Sequence, residues 1–330
     1  MRIKQCVHFF GVLMLSSIIG YFLMTILLDR EFRQQKRANT FSQRIKEDTN
    51  IKPLFGKTLL EDLGFVRNPR LYPQSYHDQA EDLPVFIGAV SSETFEDFME
   101  MVYSQRVYFP DKKLVVYNLD LTTEKILIMR SNCRCVVRDF IWKRFPSHVQ
   151  HTKYKAYRPI IIQESLMEFG AVFWVDELTR FTSSEAYNLL GQAERTGLVA
   201  WTFAYPTTTF THPNMFRYFN YSTEKYQFFQ MVEADRLIIY NTQDMHLNVM
   251  LPWVKCALDI YCIAPLGAQF KGCNFTLKPK YLYAGCHKYD TSAFNVVLGK
   301  AFNFDQPYVA IFDIFDIADP NSVKRNEKIL

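Results

Sequence analysis

The stretch EFGAVFWVDELTRF, Glu168 to Phe181, runs an apolar segment into two carboxylates, Asp176 and Glu177, with Arg180 three residues beyond. A carboxylate at the end of a buried strand can hold a divalent cation or a substrate hydroxyl, or it can simply stop the strand. Adjacent strand residues point to opposite faces, so Asp176 and Glu177 make a poor clamp for one ion. Metal ligation by Asp176 therefore needs a remote histidine as well. A second stretch, GCHKYDTSAFNVVLGKAF, carries Asp290 and His287. Phe294, Val297, Leu298, Ala301 and Phe302 follow helical spacing, which puts Asp290 or Thr291 at a helix start, where either serves as a cap. His287 is the candidate second metal ligand, against the plainer reading of a lone structural histidine.

These residues need elements to position them. From Pro84 the chain alternates apolar strands with helices. PVFIGAV reads as a strand covered on both faces, and SSETFEDFMEMVYSQR as a helix with Phe95, Phe98, Met99 and Val102 on one stripe behind a serine cap. KKLVVYNL repeats the strand, TTEKILIMR the helix, and RCVVRDF gives a third strand. Pro159 fits the first turn of a helix whose Ile162, Leu166 and Phe169 face inward, and AVFWVDEL closes the series. The pattern predicts an α/β fold with a doubly wound, mostly parallel sheet. Such sheets bind ligands beyond the carboxyl ends of their strands. That rule gathers Ser91, Ser92, Asn118, Asp120, Asp176 and Glu177 on one rim. No Gly-x-Gly-x-x-Gly, Gly-rich Lys-Ser/Thr loop, Gly-x-Ser-x-Gly or His-Glu-x-x-His occurs, so a Rossmann dinucleotide site, a P-loop and those hydrolase classes are not expected.

The N-terminus predicts a membrane anchor. Residues 1–6 form a short cytosolic tail, and Val7 to Leu28 contains no charged residue. As a helix it would be ~33 Å long, enough for a ~30 Å hydrocarbon core. A cleaved signal peptide is the rival, but no small-x-small cleavage signature follows. Residues 29–83 read as a polar stalk and lead-in with a short helix near Thr58 to Leu63, and residues 84–330 as the folded domain. Positive charge after the span favours a cytosolic domain. The short tail, the sequons at Asn220 and Asn274, and six cysteines beyond the span favour a lumen. The expected placement is a single-pass protein of the Golgi or another secretory compartment, its bilayer partner met through residues 7–28. Cys133, Cys135, Cys256, Cys262, Cys273 and Cys286 suit up to three disulfides of open connectivity. Zinc is the competing reading at Cys133 and Cys135, though one intervening residue is tight for it. Cys6 is either a palmitoylation site or a silent thiol.

The 330 residues are 48% hydrophobic, with a net charge of +4. The excess lies in the first fifty residues, leaving the folded part neutral, so no nucleic-acid partner is expected.

VVYNLDL, VVRDFIWKRFPSHV, YKAYRPIIIQESLMEFGAVFWVDELTRF, PWVKCAL and CHKYDTSAFNVVL resemble, in order, the motifs of a domain-of-unknown-function family expanded in nematodes. The resemblance covers about Pro84 to Phe304. That family resembles, more distantly, type II Golgi glycosyltransferases of the GT-A fold. The resemblance implies a nucleotide-sugar donor, a glycan or glycoprotein acceptor, and Mn²⁺ or Mg²⁺ held by an Asp-x-Asp. Here that motif reads Asp176-Glu177-Leu178, without its second Asp. A metal-independent site would instead meet the diphosphate with Arg158, Lys155 or Arg180, against the plain reading of surface or helix-end charges. Ser91 and Ser92 would border the nucleotide. Asp290 stands where the family has Asp-Gln-Ser beneath the sugar pocket, with Thr291 replacing the Gln. The aromatic run WTFAYPTTTFTHPNMFRYFNY offers sugar-stacking faces or core packing. The implied function is glycosyl transfer by Asp176 and Asp290. The alternatives are a catalytically inactive, membrane-anchored binding protein of the same fold and a luminal sulfate transferase, whose phosphate-binding loop is not evident.

Overall fold

The computed structural model describes residues 57–65 and 83–317, together with Met24. The tail, the Val7 to Leu28 span, Cys6 and most of the stalk lie outside the described residues. Among the described residues no helix is long and apolar enough to cross a membrane.

The described residues from Thr58 onward form one compact unit. Its elements run α1 (Lys57–Asp62), β1 (Val85–Val90), α2 (Phe95–Tyr108), β2 (Leu114–Asn118), α3 (Thr123–Asn132), β3 (Cys135–Asp139), α4 (Tyr157–Phe169) and β4 (Ala171–Val175). They continue through β5 (Thr179–Phe181), α5 (Leu190–Thr196), β6 (Leu198–Pro206), α6 (Pro213–Tyr218), β7 (Gln230–Tyr240), α7 (Leu251–Ala257), α8 (Ile260–Ile263), α9 (Tyr289–Ala301) and β8 (Phe315–Ile317).

The main sheet has the order β3-β2-β1-β4-β7-β6. The first four strands are parallel, and β7 runs antiparallel to both β4 and β6. The fold is therefore α/β with a mostly parallel central sheet. β5 and β8 form a separate antiparallel pair.

Strand composition explains this order. VFIGAV and AVFWV have no polar side chain, and both strands are almost wholly buried, as a sheet covered on two faces requires. On one face Phe86, Phe98, Val102, Phe173, Phe181, Trp201 and Phe315 form the main core beneath α2 and the small sheet. Gly88 is needed there: a Cβ would stand 2.8 Å from the Phe98 ring and 3.1 Å from the Val175 carbonyl. α4, α7 and α9 cover the other face. α4 ends at Gly170, whose φ of 76° lets the chain turn directly into β4. Asn295 of α9 grips β7, its side chain accepting from the Val232 N–H and donating to the Val232 carbonyl, both at 2.8 Å.

Two helix starts differ from expectation. α2 is preceded by Thr94, and the Thr94 N–H reaches back to the Ser91 hydroxyl at 3.3 Å, so the serines shape the turn without capping the helix. α9 begins at Tyr289, which puts Asp290 inside the first turn, where its carboxylate turns away from the helix end. No side chain caps the helix start at Lys288, whose N–H is instead taken by the Ser292 hydroxyl from inside the helix at 3.1 Å.

The six cysteines pair as Cys133–Cys135, Cys256–Cys262 and Cys273–Cys286. The last ties down a loop over a small cluster of Phe210, Met231 and Ala284.

Candidate functional site

At the end of β4 the Asp176 carboxylate turns to the α4 and α9 side of the sheet. Trp174, two residues earlier and so on the same face, donates its indole N–H to Asp176 Oδ1 at 2.8 Å. Lys155 Nζ donates to Oδ2 at 2.6 Å and lies 3.3 Å from Glu177 Oε1. Lys155 itself sits just before α4 in the left-handed region, with φ 49°. From α4, Arg158 donates Nη2 to Asp176 and Nη1 to Asp290. The two stretches with candidate chemistry thus meet at one guanidinium, buried with both its carboxylates.

The two acids are tuned apart. Burial favours the neutral form of Asp176, but Arg158 and Lys155 outweigh it and hold the group below the ordinary carboxylate range. Burial dominates at Asp290 and, against Arg158 and Lys155, pushes its carboxyl up to about 6. Asp290 is further fixed through its backbone, whose carbonyl accepts from the Trp253 indole at 3.0 Å.

A third acid was not singled out from the sequence. The Asp176 N–H donates to the Asp235 carbonyl at 2.8 Å, so β7 brings Asp235 beside Asp176. Burial and then Glu233 push the Asp235 carboxyl up to about 6. The signal was present: Glu233-Ala234-Asp235 is an acid-x-acid pair on one face of a strand, in the motif VEADRL. Lys288 lies 3.7 Å from Glu233.

The remaining candidates are distributed along the rim. Ser92 donates its N–H to Asp120 Oδ1 at 2.5 Å and its hydroxyl to the Asp120 carbonyl at 2.8 Å, while Ser91 Oγ lies 3.1 Å from Thr94 Oγ1. Asn118 donates to Asp139 at 2.8 Å. These bonds tie together the loops after β1, β2 and β3. Arg180 points elsewhere: its guanidinium meets Glu100 at 2.7 Å and Asp97 at 3.8 Å on α2. It is not brought to Arg158.

His287 is fully buried. Its Nδ1 accepts from the His212 N–H at 3.1 Å, and its Nε2 faces the Ile263 carbonyl at 3.2 Å. Burial depresses it to about 3, so it stays neutral. Both ring nitrogens are engaged with backbone. Asp176 fits a resident divalent cation no better, because its oxygens already take Trp174, Lys155 and Arg158, two of which are cations. Among the described residues no group of three or more His, Cys, Asp or Glu is placed to hold a metal ion.

Aromatic rings flank the bridge. Tyr289, with φ 36°, packs on Tyr154 at 4.8 Å between centroids and lies nearly parallel to Phe270 at 6.4 Å and 8°. Phe270 is 56% exposed. Within the aromatic run read from the sequence, Trp201, Phe210 and Phe216 are core.

Residues 55–163 match the model of DUF1647, described as a protein of unknown function. That stretch contains β1 to β3, Lys155 and Arg158, and it stops short of Asp176 and Asp290. No curated protein matches the chain. Among solved structures, the bifunctional glycosyltransferase WbbM is similar at 10% identity and a TM-score of 0.40, over 67% of this chain and 38% of that one. Mouse xyloside xylosyltransferase 1 is similar at 9% identity and a TM-score of 0.40, over 70% of this chain and 85% of that one. Core-mannan synthase A of Aspergillus fumigatus, in its Mn/GDP form, is similar at 11% identity and a TM-score of 0.40, over 69% and 72%. At that identity and that TM-score the likeness says nothing of this chain's chemistry.

Proposed function

We propose that the chain is a glycosyltransferase that moves a sugar from a nucleotide-sugar donor to a hydroxyl of a glycan or glycoprotein. The observation that carries this reading is the buried bridge Asp176–Arg158–Asp290 at the carboxyl rim of the sheet. Two acids tuned apart at one site are the usual arrangement for acid–base work on a hydroxyl. Asp290, pushed up to about 6, takes the acceptor proton. Lys155, whose side chain is 30% exposed, is the cation closest to solvent at the bridge and faces the donor phosphates without a resident metal. Ser91 and Ser92 border the nucleotide, and Phe270 with Tyr289 offers a face for the sugar ring.

We also place the domain in the lumen of the secretory pathway, behind an anchor at residues 7–28. Three paired sets of cysteines and two exposed sequon asparagines, Asn220 and Asn274, support that side of the membrane.

A binding protein without turnover is the second reading. It is favoured by the occupied state of Asp176, whose oxygens already have three donors. Thermal melting of the full chain against nucleotides and nucleotide sugars, with and without Mn²⁺, separates the readings. A ligand at 100 times its dissociation constant adds about 2.7 kcal/mol. Stabilisation by one nucleotide sugar, together with sugar release that Asp290→Asn abolishes, is the result expected of the transferase. Stabilisation without release supports the binding protein, and no response from any member of the panel defeats both.

A further inference from the structure

Buried charges in folded chains are paired, because an isolated ion away from water is strongly disfavoured. The cations at the rim obey this rule. Arg158 meets Asp176 and Asp290, Lys155 meets Asp176 and Glu177, and Arg180 meets Glu100 and Asp97. Arg236 does not. It is 5% exposed, and its Nε and Nη1 are buried without a hydrogen-bond partner among the described residues. Its guanidinium carbon lies 5.5 Å from the centre of the Phe315 ring.

The register fixes where this charge sits. Arg236 stands opposite Val175, the last residue of β4, and Val175 belongs to the core beneath α2 and the small sheet. Arg236 therefore points to the face opposite Asp176. On the small sheet the Thr179 hydroxyl is likewise buried and without a partner among the described residues. The Thr179 N–H bonds the Asp176 carbonyl at 3.2 Å, and the Asp176 N–H bonds the Asp235 carbonyl at 2.8 Å. Thr179 and Arg236 are thus anchored at one backbone junction. Of the carboxylates nearby, Asp235 attracts the guanidinium through space but alternates to the other face of β7 and makes no hydrogen bond to it, Asp313 accepts from the Ile314 N–H at 2.9 Å, and Asp316 alternates away from Phe315 and is exposed.

We propose that Arg236 and Thr179 form an oxyanion site at the carboxyl end of β4, on the sheet face opposite the Asp176–Arg158–Asp290 bridge, that takes a phosphate-class ligand. A charged guanidinium with two unpaired nitrogens, which can only donate, and a threonine hydroxyl free to donate as well match a tetrahedral oxyanion. The ligand is either free phosphate or the phosphoryl group of a nucleotide. This site does not depend on the transferase reading.

The test is thermal melting of the full chain at constant ionic strength, with chloride replaced by inorganic phosphate in one arm and by UDP or GDP in another. The wild type is expected to melt higher as the anion rises. A response to phosphate alone identifies the free ion, and a response confined to the nucleotides identifies their phosphoryl groups. Arg236→Met is expected to lose the response and, without phosphate, to melt no lower than wild type, since an unpaired buried charge has been removed. Thr179→Val should raise the half-saturating concentration about tenfold, and it decides the matter alone if Arg236→Met does not fold. The proposal is overturned if neither anion moves the wild type. It is also overturned if Arg236→Met or Thr179→Val responds as wild type does, or if Arg236→Met melts well below wild type in phosphate-free buffer.

Discussion

Arg158 and Asp290, 132 residues apart in the chain, form an ion pair in which the two side chains are 2% and 4% exposed. The pair joins the helix that precedes β4 to the helix that covers β7. Because Arg158 also holds Asp176, removing either acid leaves a buried guanidinium half compensated.

Asp290→Asn keeps the shape and removes the charge. At pH 4, where the folded carboxyl still holds its proton, the variant should lie close to wild type, whereas Arg158→Met, which strips the counter-ion from two buried acids, should cost about 3 kcal/mol. Chemical denaturation of Asp290→Asn, Arg158→Met and the double variant should show strongly non-additive losses. Additive losses would mean that the two side chains do not interact.

The same variant should change how stability depends on pH. Asp290 has its folded value raised to about 6, so between about 4 and 6 the native state holds the proton more tightly than the unfolded chain does. Its contribution therefore falls as pH rises through that window and is level above it. His287, depressed to about 3, acts with the opposite sign over much of the same range. The readout is thus the difference between wild type and Asp290→Asn, which should shift in favour of the variant as pH is raised from 4 to 6 and then stay constant. A constant difference across the whole window would refute the raised value.

Gly88→Ala should destabilise without touching the candidate site. Its new methyl group would press on the Phe98 ring and the Val175 carbonyl, at a cost of about 1–3 kcal/mol typical of overpacking. A melting temperature equal to wild type would show that the sheet and α2 can part to admit it.

Cys273→Ser should cost about 3 kcal/mol, the value expected for a closed loop of roughly fifteen residues. Mass mapping without reductant should recover the three pairs, and the loss should vanish when wild type is compared in reductant. Free thiols at these positions in protein from cells would count against an oxidising compartment.

In cells, Asn220→Gln and Asn274→Gln should each remove one glycan, seen as a step in gel mobility that glycosidase also removes. Both asparagines are exposed, and the Thr276 hydroxyl donates to Asn274 Oδ1 at 2.7 Å. An unmodified chain in which the anchor is intact would put the domain on the cytosolic side.

Much of the sheet was legible, because strands covered on both faces must be apolar throughout: VFIGAV, LVVYN and AVFWV announce themselves by composition. The stripe of Phe95, Phe98, Met99 and Val102 was legible for the same reason. β7 was harder to read. Its outer half carries Glu233, Asp235 and Arg236, so no unbroken apolar run marks it, and its antiparallel direction follows from pairing, which no local pattern encodes. The site was half legible. Asp176, Arg158 and Asp290 stood out by residue type and context, but type alone cannot say that one guanidinium lies between the two acids. Asp290 in particular looked like a helix cap, since capping depends on where the first turn begins, and Tyr289 begins it one residue early.

The grip of Asn295 on Val232 bears on the order of charges along β7. The pairing of β7 with β6 shifts register between Leu237 and Val232, so the facing is set by β4, where Arg236 stands opposite Val175 and Asp235 beside Asp176, on opposite sides of the sheet. A slip by a single residue would exchange them, sending a cation to Asp176 and an acid into the aromatic core. One amide, holding both the N–H and the carbonyl of a single residue, pins β7 to α9 just beyond that irregular stretch, where strand pairing alone sets no register, and an Asn295→Leu chain could keep its volume and still lose its place.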